Sequence, residues 1–185
     1  MQPYKEILAE ILINESTLQD RIRELGAEIS RDYEHSNLVL ICILRGGIVF
    51  LVDLMRNITV PHQLDFMAVT SYGAGVRQSG GSVRLSLDLK TDIRGKDVLL
   101  VEDIVDSGNT IAYVLEFLKT RQPHTLKVCT LLDKPERRET PVPVDYCGFE
   151  IPNKFDFGYG LDLDEYYRNL PFVGVVDLTK YRPPD

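Results

Sequence analysis

The sequence predicts an α/β domain: a doubly wound, mostly parallel twisted sheet flanked by helices. Three observations carry that prediction. Segments 38–44 (LVLICIL), 98–101 (VLLV) and 126–132 (LKVCTLL) are nearly unbroken apolar runs of strand length, as strands buried on both faces require. The first two are followed by segments of helical character, and such alternation marks parallel crossover units. Length and composition suit one such unit, with 185 residues, 44% hydrophobic, 26% charged and neither repeat nor linker. The expected organisation is a single domain, 1–185.

The elements follow in order. Leu18, Ile22, Leu25 and Ile29 recur every three to four residues, which predicts a helix from Ser16 to about Tyr33 with Ser16 as N-cap. The strand Leu38–Leu44 is broken by Arg45-Gly46-Gly47, and Ile48 to Met55 returns as a covering helix. Gln63 to Thr70 reads as a strand running into Thr70-Ser71-Tyr72-Gly73. Residues 73–82 (GAGVRQSGGS) hold four glycines and almost nothing to bury, so they are expected to be a long functional loop. Val83 to Leu89 alternates like a half-exposed strand. After the strand at Val98–Val101 come a turn and a helix from about Asn109 to Thr120. A strand at Leu126–Leu132, an irregular stretch around Pro141–Pro143, and short strands at Val144–Cys147 and Phe172–Val176 complete the reading.

Charge excludes several classes of function. Twenty-one basic against 28 acidic residues leave a net charge of −7, which disfavours a general nucleic-acid or anionic-membrane binder. The first residues, MQPYKEILAEILINES, carry glutamates inside their apolar stretch and read as no signal peptide, and no apolar run approaches a membrane span. Cys42, Cys129 and Cys147 are odd in number and scattered, without a CxxC pair, so they are expected to be buried reduced thiols of a cytoplasmic protein. His35, His62 and His124 fall in loop-like contexts and are assigned no chemistry.

Residues 98–111 (VLLVEDIVDSGNTI) carry the chemistry. An apolar strand ends in Glu102 and Asp103, a third carboxylate follows at Asp106, and Ser107-Gly108-Asn109-Thr110 lead into a helix. Small residues there let successive backbone N–H groups converge, hydroxyls add donors, and the helix N-terminus adds positive potential, so the tail suits an anion. Three carboxylates would repel a bare phosphate. The conflict disappears for a ligand that offers hydroxyls as well as phosphate, with a divalent cation between. A ribose phosphate with a hard metal such as Mg²⁺ meets that joint demand. Neither GxxxxGK[ST] nor GxGxxG is present in the segment.

VEDIVDSGNT resembles the phosphoribosyl-pyrophosphate signature of type I phosphoribosyltransferases, and more narrowly the chain resembles the hypoxanthine–guanine phosphoribosyltransferases. ILRGG at 43–47, TSYG at 70–73, LLDKP at 131–135 and KFDFGYGLDLDEYYRNLP at 154–171 extend the resemblance over nearly the whole chain. It implies a small hood beside the main sheet and a flexible lid loop. Glu102 and Asp103 would bind the ribose hydroxyls and Mg²⁺, and Asp106 would be the general acid/base at purine N7. Ser107, Gly108, Asn109 and Thr110 would hold the 5′-phosphate, with Asn109 standing where many relatives carry lysine.

Further roles follow from the same resemblance. Arg45 and Gly46 match a pyrophosphate loop in which a cis peptide turns an N–H toward the leaving group, and Ser71 and Tyr72 match the lid. Lys134 would read the purine O6, Phe155 would stack on the base, Ile104 would pack on its other face, and the backbone of Asp156 would touch its edge. Asp162 matches a second metal-linked carboxylate, and Arg168 a pyrophosphate contact. The implied activity is transfer of a 5-phosphoribosyl group to hypoxanthine, and to guanine, by a homodimer or homotetramer. A xanthine-preferring enzyme and a non-catalytic phosphoribosyl-pyrophosphate sensor share the resemblance. The acidic charge, the lack of spare length and the presence of Asp106 weigh against the sensor.

Overall fold

The computed structural model describes residues 2–72 and 82–183. The chain opens with a short helix α1 (Tyr4–Ile7), strand β1 (Leu8–Ile13) and helix α2 (Glu15–Asp32). Strand β2 (Leu38–Leu44), helix α3 (Ile48–Asn57) and strands β3 (His62–Tyr72) and β4 (Ser82–Leu87) follow. Next come β5 (Asp97–Val105), helix α4 (Asn109–Lys119), β6 (Thr125–Asp133) and a 3-10 turn at Pro135–Arg137. Strands β7 (Tyr146–Glu150), β8 (Asp156–Phe157) and β9 (Val173–Val176) end the series.

Six strands form the main sheet in the order β4-β3-β2-β5-β6-β7. All neighbours are parallel except the β3–β4 edge pair. Alternation along the strands sorts side chains into two cores. Leu40, Cys42, Leu99 and Val101 pack with Leu18, Ile22, Leu25 and Ile29 of α2 and with Phe50, Leu51 and Leu54 of α3. Val39, Ile41, Ile43, Val98 and Leu100 meet Ile111, Val114, Leu115 and Leu118 of α4 on the opposite face. The unbroken apolar runs thus serve two helical layers at once.

A second, three-stranded antiparallel sheet, β1-β9-β8, forms the hood. Its own core gathers Ile7, Phe157, Leu163, Tyr167, Leu170, Phe172, Val176 and Tyr181.

Several expectations need correction. Asn14 rather than Ser16 caps α2: Asn14 is extended, and its Oδ1 accepts from Thr17 N at 2.9 Å and from Ser16 Oγ at 2.7 Å. The strand expected at Val144 starts at Tyr146, because Asp145 turns its carboxylate back to accept from Val128 N at 2.8 Å. The strand expected at Phe172–Val176 is present as β9, and it belongs to the hood. β1 was not expected, since Leu8–Ile13 carries no clean alternation of burial. His62 opens β3 rather than lying in a loop. Cys42 and Cys129 are buried free thiols as expected, whereas Cys147 is only half-buried, on the edge strand β7. Burial still pushes its thiol up to about 11. Of the loop expected at 73–82, residues 73–81 lie outside the described residues and Ser82 opens β4; Ser71 and Tyr72 end β3, paired with Val83 and Ser82 of β4.

Candidate active site

Strands β2 and β5 lie side by side at the centre of the sheet, and the chain leaves them in opposite directions, through α3 to β3 and through α4 to β6. Open α/β sheets bind ligands at such a switch, beyond the carboxyl ends of the strands. The loop after β2 carries the Leu44–Arg45 cis peptide that the resemblance implies. Gly46 lies so close to Asp103 at the end of β5 that a Cβ there would collide with the Asp103 carboxylate. Gly160 of the hood presses in turn on the Gly46 carbonyl, leaving no room for a side chain. One glycine loop therefore joins the sheet to the hood.

β5 does not stop at the acidic pair but continues through Val105, held by pairing of Glu102 with Thr130 and Ile104 with Leu132 on β6. The carboxylates are thus carried into the sheet by a strand that the apolar run alone did not delimit. Burial, then the charge of Asp103, pushes Glu102 well above the usual carboxylate range. Burial pushes Asp103 up to about 6, with Ile104 N donating to its Oδ1 at 2.8 Å and the charge of Arg168 holding the shift back. Glu102 Oε2 is shielded from solvent and has no hydrogen-bond partner. An orphaned buried carboxylate oxygen calls for a ligand. A hard cation or a ribose hydroxyl fits it, which is the chemistry expected of this pair. Among the described residues no three His, Cys, Asp or Glu side chains converge on one point. Asp162 therefore does not join Glu102 and Asp103; it pairs with Arg168 at 2.8 Å and accepts from Glu165 N at 2.9 Å.

The phosphate-loop residues are clamped by the segment that follows β6. Gly108 occupies the N-cap of α4 with φ +85°, packed so closely on the Thr140 carbonyl that a Cβ would collide with it. This cap supplies no side-chain acceptor to the helix, which leaves its first turn suited to an anion. Glu139 N and Thr140 N both donate to the Ser107 carbonyl, at 2.9 and 3.0 Å. Arg138 is paired with Asp133 and donates to the Asp106 carbonyl at 3.0 Å. Arg137 pairs with the Asp106 carboxylate at 3.0 Å. Asn109 accepts from Thr140 Oγ1 at 2.5 Å and donates to Glu139 at 3.0 Å, so it props the loop where a lysine would offer charge. Thr110 opens the first turn of α4.

On the base side, Lys134 is buried, pairs with Asp156 at 2.7 Å and donates to the Lys154 carbonyl at 2.6 Å. Asp156, expected to act through its backbone, also contributes its side chain as the counter-ion of that lysine. Phe155 stands exposed beside them, with 42% of its surface open and available for stacking, while Ile104 packs partly into the core beneath. Arg45 and Arg168 come together through Glu165, at 2.7 and 3.2 Å. Arg168 also donates to the Gly160 carbonyl at 2.8 Å.

Sequence reasoning missed Arg137, Arg138, Glu139, Thr140 and Glu165. All act across long sequence separations, and only the run of charge after LLDKP hinted at the first two.

Comparison with known proteins agrees with this geometry. Residues 10–164 match the phosphoribosyl transferase domain model. A hypoxanthine phosphoribosyltransferase from Salmonella typhimurium is 50% identical over 171 residues, covering 91% of this chain and 96% of that protein. A hypoxanthine-guanine phosphoribosyltransferase from Mycobacterium avium is 46% identical over 185 residues, covering 97% and 91%. The crystal structure of a Staphylococcus aureus hypoxanthine phosphoribosyltransferase superposes with a TM-score of 0.92 at 40% identity, covering 97% of both chains. Strand order, the switch-point carboxylates and these relatives agree, and the chain belongs to the phosphoribosyltransferase family, in its hypoxanthine phosphoribosyltransferase branch.

Proposed function

We propose that this protein, 1–185 acting as one unit, transfers the 5-phosphoribosyl group of phosphoribosyl pyrophosphate to hypoxanthine, with guanine as a second base. The products are a purine nucleoside monophosphate and pyrophosphate. Purine N9 attacks the anomeric carbon, the bond from that carbon to the pyrophosphate oxygen breaks, and configuration inverts. The observation that carries the reading is the orphaned Glu102 oxygen beside Asp103, at the switch point between an anion-binding helix start and a glycine loop.

Each residue then has a task. Glu102 and Asp103 bind the ribose hydroxyls and would hold Mg²⁺, and Asp162 would be the second metal-linked carboxylate on leaving Arg168. When bound, the metal neutralises pyrophosphate charge as it leaves. Ser107 to Thr110 hold the 5′-phosphate, and the Arg45–Gly46 loop with Arg168 receives the pyrophosphate. Asp106 takes the purine proton at N7. Phe155 and Ile104 hold the base from its two faces. Ser71 and Tyr72 belong to the closing lid, which keeps water from an oxocarbenium-like centre. Lys134 donates one N–H to the Lys154 carbonyl and is charge-paired with Asp156, and a further N–H is directed in our reading to a carbonyl at purine C6. Adenine presents an amine there, so donor would face donor. We place the enzyme in the cytoplasm as a homodimer or homotetramer.

The test is nucleoside monophosphate formation from phosphoribosyl pyrophosphate with hypoxanthine, guanine, xanthine or adenine, with Mg²⁺ and with a chelator. Metal-dependent turnover of hypoxanthine or guanine, with adenine inert, is expected. Asp106→Asn should lower kcat far more than it weakens phosphoribosyl pyrophosphate binding. Equal losses would overturn the proton role, and no turnover of any base despite binding would overturn the enzyme.

A further inference from the structure

The two arginines expected to receive pyrophosphate already share an anion. Glu165 Oε2 lies 2.7 Å from Arg45 Nη2 and 3.2 Å from Arg168 Nη2, so one carboxylate oxygen bridges the glycine loop and the hood. Its placement is enforced by the fold. Asp164 and Glu165 both adopt positive φ, at +49° and +71°, a conformation that non-glycine residues keep only where their surroundings demand it. The demand is visible on both sides of the turn. Asp162 Oδ2 accepts from Glu165 N at 2.9 Å, and Asp164 Oδ2 accepts from Tyr181 Oη at 2.5 Å. The backbone is pinned, while the Glu165 side chain keeps 58% of its surface in solvent, held only by the two arginines among the described residues.

We propose that Glu165 is a built-in competitor for the pyrophosphate site: its carboxylate satisfies Arg45 and Arg168 when the site is empty and must be displaced when pyrophosphate, or the pyrophosphoryl end of the substrate, arrives. The inference rests on the assignment of Arg45 and Arg168 to pyrophosphate. Chemically it is an exchange of one oxyanion for another at the same two guanidinium groups. Incoming pyrophosphate gains two charge-assisted contacts but first breaks two, and each departing product is helped off by a tethered carboxylate. Glu165 thereby sets product affinity without touching the reacting atoms.

Removing the competitor should tighten binding, which loss of a merely structural contact would not do. Glu165 makes two exposed ion pairs, each worth about a few tenths to 1 kcal/mol, and Arg168 keeps its contact with Asp162, so removing the competitor corresponds to roughly three- to thirtyfold. The experiment is calorimetric titration of the full chain with Mg-pyrophosphate, wild type against Glu165→Gln and Glu165→Ala, with thermal melting as a check on folding. Both variants are expected to bind pyrophosphate more tightly than wild type, and Glu165→Asp to stay near it. Arg45→Gln and Arg168→Gln serve as controls for the site. If these weaken binding while both Glu165 variants bind no more tightly than wild type, the competitor is overturned and the site stands. If neither arginine variant changes the affinity, the pyrophosphate assignment itself falls.

Discussion

The Lys134–Asp156 pair offers the sharpest test of how the site is supported. Only 8% of the lysine side chain and 1% of the aspartate side chain reach solvent. Burial raises the Asp156 carboxyl, and the bond and charge of Lys134 hold it back. In Asp156→Asn the ammonium would keep the Lys154 carbonyl and lose the counter-charge it has among the described residues. Breaking one partner of a buried pair costs about 3–5 kcal/mol, because the surviving charge stays desolvated. Exchanging both partners for apolar residues of similar volume is close to neutral. Asp156→Asn and Lys134→Met should therefore each lose about 3–5 kcal/mol in urea unfolding, while Lys134→Met with Asp156→Leu recovers most of that loss. Catalysis should behave differently. Lys134→Met forfeits a charged hydrogen bond worth about 1.5–3 kcal/mol, so kcat/KM for hypoxanthine falls roughly ten- to 150-fold. The double variant, stable again, should recover none of it. A single variant less than 1 kcal/mol below wild type, or a double variant as unstable as the sum of its parts, would refute the buried-charge reasoning. Full activity in the stable double variant would refute the O6 contact.

Two other predictions concern the switch point. Asp103 titrates near 6 when folded against an ordinary value of 3.8, so its proton favours the folded state: that contribution is full below about 3.8 and is lost as pH rises through 6. Its loss is worth about 2–3 kcal/mol. Asp103→Asn should consequently flatten the fall in Tm between pH 5 and 8, and phosphoribosyl pyrophosphate with Mg²⁺ should raise wild-type Tm more at pH 8 than at pH 5.5; a variant whose Tm tracks wild type across that window would defeat the argument. Gly46→Ala drives a methyl into the Asp103 carboxylate. It should cost about 1–3 kcal/mol in stability and, by displacing the acidic pair, more than ~100-fold in turnover, whereas near-normal turnover with a normal melting curve would show the loop to be more yielding than its packing implies.

Much of this was legible in the sequence, and the reason is local. The strands β2, β5 and β6 announce themselves because a strand covered on both faces has no polar positions to interrupt it. The chemistry of 102–110 was legible because carboxylates, small residues and a helix start fall within one short segment. What escaped is non-local. β1 pairs with β9 across the length of the chain, and its pattern of exposed and half-buried residues gives no period of two. Residues 137–140 clamp the phosphate loop from about 30 positions away, and arginines after a strand ordinarily read as solvated surface. The ion pair that holds Lys134 escaped for the same reason, since its burial depends on Asp156 folding over it from the hood.

The same pairings explain how a chain of net charge −7 can hold a polyanion. Free guanidinium groups lining the site would attract any anion in the cell. Here Arg45 and Arg168 are engaged by Glu165, Arg137 by Asp106 and Arg138 by Asp133. Arg45 and Arg137 are neutralised by partners from a different loop or strand, and Arg168 and Arg138 by partners close in sequence, so the site is both electrostatically quiet and mechanically tied together. Recognition is then a matter of exchange. A ligand gains only if it can replace several internal carboxylates at once, with oxyanions spaced to meet the helix start, the glycine loop and the hood. A lone phosphate would meet only one of these. A ribose carrying phosphate at one end and pyrophosphate at the other spans them, and that requirement selects the substrate more stringently than positive potential could.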